Sequence, residues 1–105
     1  VYAMTKGAIR MLGRESAIEL APYGITVNMI EPGAVDVGKY ERILADDPDA
    51  QKKLEERRKR QLAKFPMGRV GVPLDVARLA AFIASDESEY LTGSAIRLDG
   101  GSMLL

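Results

Sequence analysis

The chain of 105 residues is 47% hydrophobic, enough for one small domain or a piece of one. Fifteen basic and fifteen acidic side chains cancel, so no global field gathers nucleic acid, an anionic membrane or an acidic substrate. The absence of cysteine and histidine excludes disulfides, thiolate metal sites, the usual zinc ligand and the usual general base.

Residues 2–21 place Met4, Ala8, Met11, Leu12 and Ile18 at near-helical intervals, with Arg10, Arg14 and Glu19 elsewhere, and predict a helix. Ile9 and Ala17 fall outside this stripe, and Gly7 and Gly13 permit close approach, as expected of a helix buried on two sides. Val1 and Tyr2 carry no cap chemistry, so the helix is expected to begin upstream, and the lack of an initiating Met points to an incomplete or processed product. Pro22, Tyr23 and Gly24 end the helix, and the run 25–30 predicts a short, buried parallel strand. Asn28 inside that run must find hydrogen-bond partners, so it is expected to tie the strand to a neighbouring loop rather than take part in chemistry. Glu31, Pro32 and Gly33 punctuate the strand's carboxyl end, where open α/β sheets place their ligands.

From 37 to 65 the composition turns charged and polar. Asp47 and Pro48 suit the N-cap and first position of a helix. Asp49 near its start and Arg57, Arg58, Lys59, Arg60 and Lys64 near its end complement a helix macrodipole. Ala50, Leu54, Leu62 and Ala63 form only a thin apolar stripe, which predicts a surface helix. The basic run 57–60 follows Glu55 and Glu56 and has no interleaved aromatics, so it reads as a solvated helix end rather than a nucleic-acid patch.

A glycine-bearing loop at 67–72 leads to Pro73, which opens a second helix with Val76, Ala80 and Ile83 facing the sheet. Ser94, Ile96 and Leu98 face one side of a closing strand that ends at Asp99, Gly100 and Gly101. No apolar run approaches the roughly 20 residues of a membrane span, so a soluble, cytoplasmic protein with no membrane partner is expected. The order helix, strand, helical insertion, helix, strand predicts an α/β fold. Two parallel strands do not hold helices on both faces by themselves, so this layout calls for further strands.

Tyr2 and Lys6 stand four apart on the first helix and rise from one face. An ammonium near a phenol favours the phenolate, which suits proton exchange with an alcohol or carbonyl oxygen. The spacing alone is equally that of a surface pair. It gains meaning from landmarks that follow in order: Tyr2-Ala3-Met4-Thr5-Lys6, Glu19-Leu20-Ala21-Pro22-Tyr23-Gly24-Ile25-Thr26-Val27-Asn28 and Pro32-Gly33. Then come Met67-Gly68-Arg69, Pro73-Leu74-Asp75-Val76-Ala77, Ala84-Ser85-Asp86, Thr92-Gly93 and Leu98-Asp99-Gly100-Gly101.

Taken together, these motifs resemble the carboxy-terminal half of a classical short-chain dehydrogenase/reductase, over essentially the whole chain, with likeness to glucose 1-dehydrogenase-like and 3-oxoacyl-carrier-protein-reductase-like members. The resemblance implies that 1–105 are the carboxy-terminal part of one domain, a Rossmann-like, doubly wound parallel sheet with a helical lid insertion at about 37–65. It implies NAD or NADP as cofactor and a small-molecule alcohol or carbonyl as substrate. Tyr2 would exchange a proton with the substrate oxygen, and Lys6 would assist its ionisation and hydrogen-bond the nicotinamide ribose. The Pro32-Gly33 turn would bring backbone close to the nicotinamide, with Gly33 leaving room for it, and the Val35 backbone would bind the carboxamide. Val37 stands where the family usually has a threonine, so that hydroxyl is absent.

The family's glycine-rich phosphate loop, its selector of NAD or NADP and its catalytic serine precede the tyrosine and have no counterpart in these residues. The resemblance also implies subunit packing through the first helix, hence a homodimer or homotetramer. The competing reading is a truncated, non-catalytic fragment that uses the same helix and its sheet edges as an oligomerisation module.

Overall fold

The computed structural model describes residues 1–38 and 48–104, apart from the side chains of Pro48 and Gln61. Its order is α1 (Tyr2–Leu20), β1 (Met29–Pro32), α2 (Pro48–Leu62), α3 (Pro73–Ile83) and β2 (Ala95–Leu98). This is the expected α/β succession, with a small parallel sheet and flanking helices in the manner of a partial Rossmann-like fold. The expected N-cap, Asp47, lies outside the described residues, as does the stretch 39–47 of the expected lid. The chain divides into two compact units, Val1–Glu31 with Val76–Arg97 and Pro32–Asp75 with Leu98–Leu105. Among the described residues no helix is long and apolar enough to cross a membrane.

In the first unit, α1 runs into a 3-10 turn at Ala21–Tyr23. Gly24, at φ 70°, then reverses the chain in the left-handed region where a side chain would be strained. The helix meets β1 through small residues. A Cβ on Gly13 would collide with the Met29 thioether, and Ala17 is 3% exposed with its methyl 3.6 Å from where a Cβ on Gly93 would stand.

The expected apolar stripe is therefore not the packed one. Met4 is 78% exposed and Ile18 69%, and Met11 and Leu12 are exposed as well, because only the smaller side chains allow the helix axis to approach the strand. Gly7 has no described residue within 4 Å of a would-be Cβ, so the expected close approach is seen at Gly13 and not at Gly7.

The run 25–30 becomes ladder only from Met29. Before it, Val27 donates its N–H to the Thr92 hydroxyl at 3.0 Å and accepts from Gly93 at 2.7 Å, so this stretch is extended but bound to a loop. Met29 then donates to Ser94 at 2.8 Å and Gly33 to Leu98 at 2.9 Å. Both strands advance together along these bonds and are thus parallel.

Asn28 bridges the same loop with both ends of its amide, donating to the Leu91 carbonyl at 2.7 Å and accepting from the Ser94 N–H at 3.2 Å. That is the structural link expected of it. Val76, Leu79 and Ile83 form the half-buried side of α3, while Ala80, expected to face the sheet, is exposed. It borders an open cleft of about 580 Å³ that Thr26, Asn28, Ile30, Ile83 and Ser88 also line.

In the second unit the buried centre is Phe65, 7% exposed, whose ring lies 3.5 Å from where a Cβ on Gly100 would stand. Met67 donates its N–H to the Gly100 carbonyl at 3.2 Å, closing this corner. Asp99 shapes the same turn by accepting the N–H groups of Gly101 and Met103, each at 3.0 Å. On α2, Asp49 opens the helix and Lys59 and Arg60 close it, the charge order expected. Only Ala50 and Leu54 of its thin stripe are half-buried, and Leu62 and Ala63 are exposed, as a surface helix requires.

Candidate functional site

Tyr2 and Lys6 occupy the first two turns of α1. The Lys6 ammonium stands 5.7 Å from the centroid of the Tyr2 ring, within cation–π range. The Thr5 hydroxyl donates to the Tyr2 carbonyl at 2.7 Å, and the Thr5 N–H to the Val1 carbonyl at 3.1 Å, so the first turn is formed without a side-chain cap.

Farther along, Arg10 pairs with Glu31 at 3.2 Å, and Gly13 and Ala17 pack as described. At about 100° per residue, positions 2, 6, 10, 13 and 17 fall within a sector of about 80°. Tyr2 and Lys6 thus continue, toward the amino end of the helix, the edge on which Arg10 pairs with Glu31, Gly13 meets Met29 and Ala17 lies against Gly93. Tyr2 itself is 75% exposed.

The remaining expected site residues, Pro32, Gly33, Val35 and Val37, belong to the second unit. A Cβ on Gly33 would lie 2.7 Å from the Asp99 Cβ and 2.8 Å from its Cα. The chain therefore needs glycine there for its own packing, whatever room a ligand would also require. Past Gly33, Val35 forms an isolated parallel bridge with Gly71. Gly71 donates to the Ala34 carbonyl at 3.1 Å and accepts from the Asp36 N–H at 2.8 Å.

In such a bridge the pairing groups belong to the residues on either side of Val35, and its own N–H and C=O face the opposite way. No described residue takes either of them. Asp36 accepts the Gly38 N–H at 2.8 Å and pairs with Arg58 of α2 at 3.5 Å. Val37, between them, is exposed.

Sequence reasoning passed over the loop that supports Val35. The Arg69 guanidinium forks onto Asp75, Nη1 to Oδ2 at 2.6 Å and Nη2 to Oδ1 at 2.8 Å. The hydrogen bonds that Arg69 donates to Asp75, and then the charge of Asp75, hold the guanidinium more firmly protonated than an ordinary arginine. Asp75 Oδ2 also accepts the Val72 N–H at 2.9 Å. With Pro73 at the first helical position of α3, Asp75 sits where a capping-box acid reaches back to the N-cap amide. Proline followed two residues later by an acid was the available signal.

A family model described as Enoyl-(Acyl carrier protein) reductase matches residues 1–103. The chain is 45% identical over 100 residues to the uncharacterized oxidoreductase YjdA of Bacillus subtilis (strain 168), which covers 95% of this chain and 35% of that protein. It is 42% identical over 103 residues to the L-2,3-butanediol dehydrogenase of Corynebacterium glutamicum, covering 97% of this chain and 40% of that one. Among solved structures, that of YwfH, an NADPH-dependent reductase involved in bacilysin biosynthesis, matches with a TM-score of 0.78 at 37% identity. The match covers 95% of this chain and 38% of YwfH. The chain spans between about a third and two fifths of the length of these relatives. Motif order, family model and fold agree, and the chain belongs to the classical short-chain dehydrogenase/reductase family, a family of NAD(P)-dependent oxidoreductases, corresponding to the carboxy-terminal portion of its members.

Proposed function

We propose that these residues supply the proton-transfer pair and the nicotinamide-binding backbone of an oxidoreductase that interconverts an alcohol and a carbonyl. The observation that carries this reading is the placement of Tyr2 and Lys6 on the packed edge of α1, ahead of Arg10, in a chain of this family. In the reducing direction Tyr2 gives its phenolic proton to the substrate oxygen as the carbonyl carbon gains hydride, and in the oxidising direction it takes the alcohol proton back. Lys6 holds positive charge beside the tyrosine and hydrogen-bonds the ribose hydroxyls of the cofactor.

The backbone of Val35 suits a carboxamide, because it offers one donor and one acceptor side by side with no described residue competing for them. Pro32 and Gly33 lead into it, and Val37 follows without the hydroxyl usual in the family. When bound, NAD or NADP supplies or accepts the hydride.

The test is Tyr2→Phe in the native gene product, assayed by NAD(P)H-dependent reduction of a panel of small carbonyl compounds. Loss of kcat by about 10²- to 10⁴-fold is expected for a positioned acid/base. A Phe variant as active as the parent would sink the assignment.

One observation favours a self-associating role alongside catalysis. Met4, Met11, Leu12 and Ile18 give α1 an exposed apolar side opposite its packed edge, the kind of face that subunit packing covers. A homodimer or homotetramer joined through this side is the proposed assembly. The alternative, a fragment that associates without binding cofactor, differs from it in a direct titration with NADH and NADPH.

A further inference from the structure

The backbone around Val35 is not part of the β1–β2 ladder. It is held in place by Gly71 through the two bonds at 3.1 and 2.8 Å. Gly71 lies in a loop without regular structure, where a Cβ would come within 3.2 Å of the Ala34 carbonyl oxygen, so its approach to this segment is close. What then fixes Gly71? Its neighbours on both sides are tied to one carboxylate. Val72 donates its N–H to Asp75, and Arg69 grips both Asp75 oxygens while its Nη1 also reaches the Val70 carbonyl at 3.3 Å. Asp75 is itself anchored in the first turn of α3, with its N–H on the Val72 carbonyl at 2.9 Å.

The energetics of this clamp point to geometry rather than stability. The Arg69 side chain is 54% exposed, and an ion pair so open to water adds little to global stability. A bidentate guanidinium–carboxylate pair nonetheless fixes orientation in a way one bond cannot. We infer that Arg69 and Asp75 are positioning residues for the Val35 backbone, acting through Gly71 to set the direction of the N–H and C=O that no described residue takes. This rests on the reading that the Val35 backbone receives the nicotinamide carboxamide.

ADP-ribose is the dinucleotide without its nicotinamide, so it makes no demand on Val35. In the native gene product, binding of NADH and NADPH is measured by fluorescence titration and binding of ADP-ribose by calorimetry, for the parent and for Asp75→Asn, Arg69→Met and Arg69→Lys. Dinucleotide affinity is expected to fall on the order of tenfold in Asp75→Asn and Arg69→Met, the scale seen when an outer partner of a binding group is removed. ADP-ribose affinity is expected to stay within about twofold.

Arg69→Lys keeps the charge and loses the fork, so its loss should be intermediate, and as the mildest change it serves should either of the others fail to fold. Equal losses for dinucleotide and ADP-ribose, or no loss for either, would overturn the positioning role. A parent protein that binds ADP-ribose but gains nothing from the nicotinamide would instead overturn the reading of Val35, and this inference with it.

Discussion

Asn28 shows what a single polar side chain contributes when strand and loop have no backbone bonds to spare. Its amide satisfies one carbonyl and one N–H of the segment 91–94, both partly buried. Asn28→Ala would leave both groups without their partner, at a cost of about 1–3 kcal/mol for each group that stays dry. Urea denaturation of the native gene product measures it, and a change below about 0.5 kcal/mol, the range of an ordinary surface site, would mean that water replaces the amide freely. This role was legible in the sequence, because an amide within a β-branched run must be satisfied locally. Gly33 was legible only in part. Its position after Pro32 announced a close approach, but the group that approaches, Asp99, is remote in sequence and no local pattern names it.

At the level of the element, α1 separates two jobs onto two sides. The edge of Arg10, Gly13 and Ala17 binds the helix within its own unit, and the side of Met4, Met11, Leu12 and Ile18 is left exposed. Opposite responses to substitution follow. Ala17→Leu would overpack the contact near Gly93 and cost about 1–3 kcal/mol, read as a lowered midpoint in thermal unfolding. Ile18→Glu adds charge to the exposed side and should leave that midpoint nearly unchanged if the chain is monomeric. Under the proposed assembly it should instead halve or quarter the mass seen by light scattering. An unchanged mass would remove this side of α1 from the interface.

The helix itself was legible from periodicity. Which side would pack was not, since hydrophobicity favoured the methionines and leucine whereas close approach selected glycine and alanine. The late start of β1 has a similar cause. The residues 25–28 have strand propensity, but Thr92 and Gly93 engage Val27 before a ladder begins. Propensity does not report that competition.

For the chain as a whole, the order of elements was readable because each is punctuated: Gly24 after α1, Pro32 at the end of β1 with Gly33 after it, Pro73 at the start of α3 and Gly100 after β2. The depth of the core was not. Among the described residues the buried hydrophobic side chains are Ala17 and Phe65, whereas a domain of this length ordinarily buries well over half the surface that its unfolded chain exposes. The 105-residue segment prepared alone should therefore unfold without a cooperative transition, showing a shallow urea curve and little calorimetric peak. A sharp two-state transition, with coincident circular dichroism and fluorescence, would contradict this.

The isolated bridge at Val35 also has a consequence for isotope labelling. The amides of Gly71 and Asp36 are engaged in its two bonds, while that of Val35 points the other way and is taken by no described residue. Deuterium should accordingly enter at Val35 ahead of the adjacent Asp36, an alternation within two consecutive residues. A ligand that accepts a hydrogen bond from Val35 would slow that one amide and erase the alternation. The backbone thereby carries its own single-site footprint of occupancy, readable without any catalytic turnover.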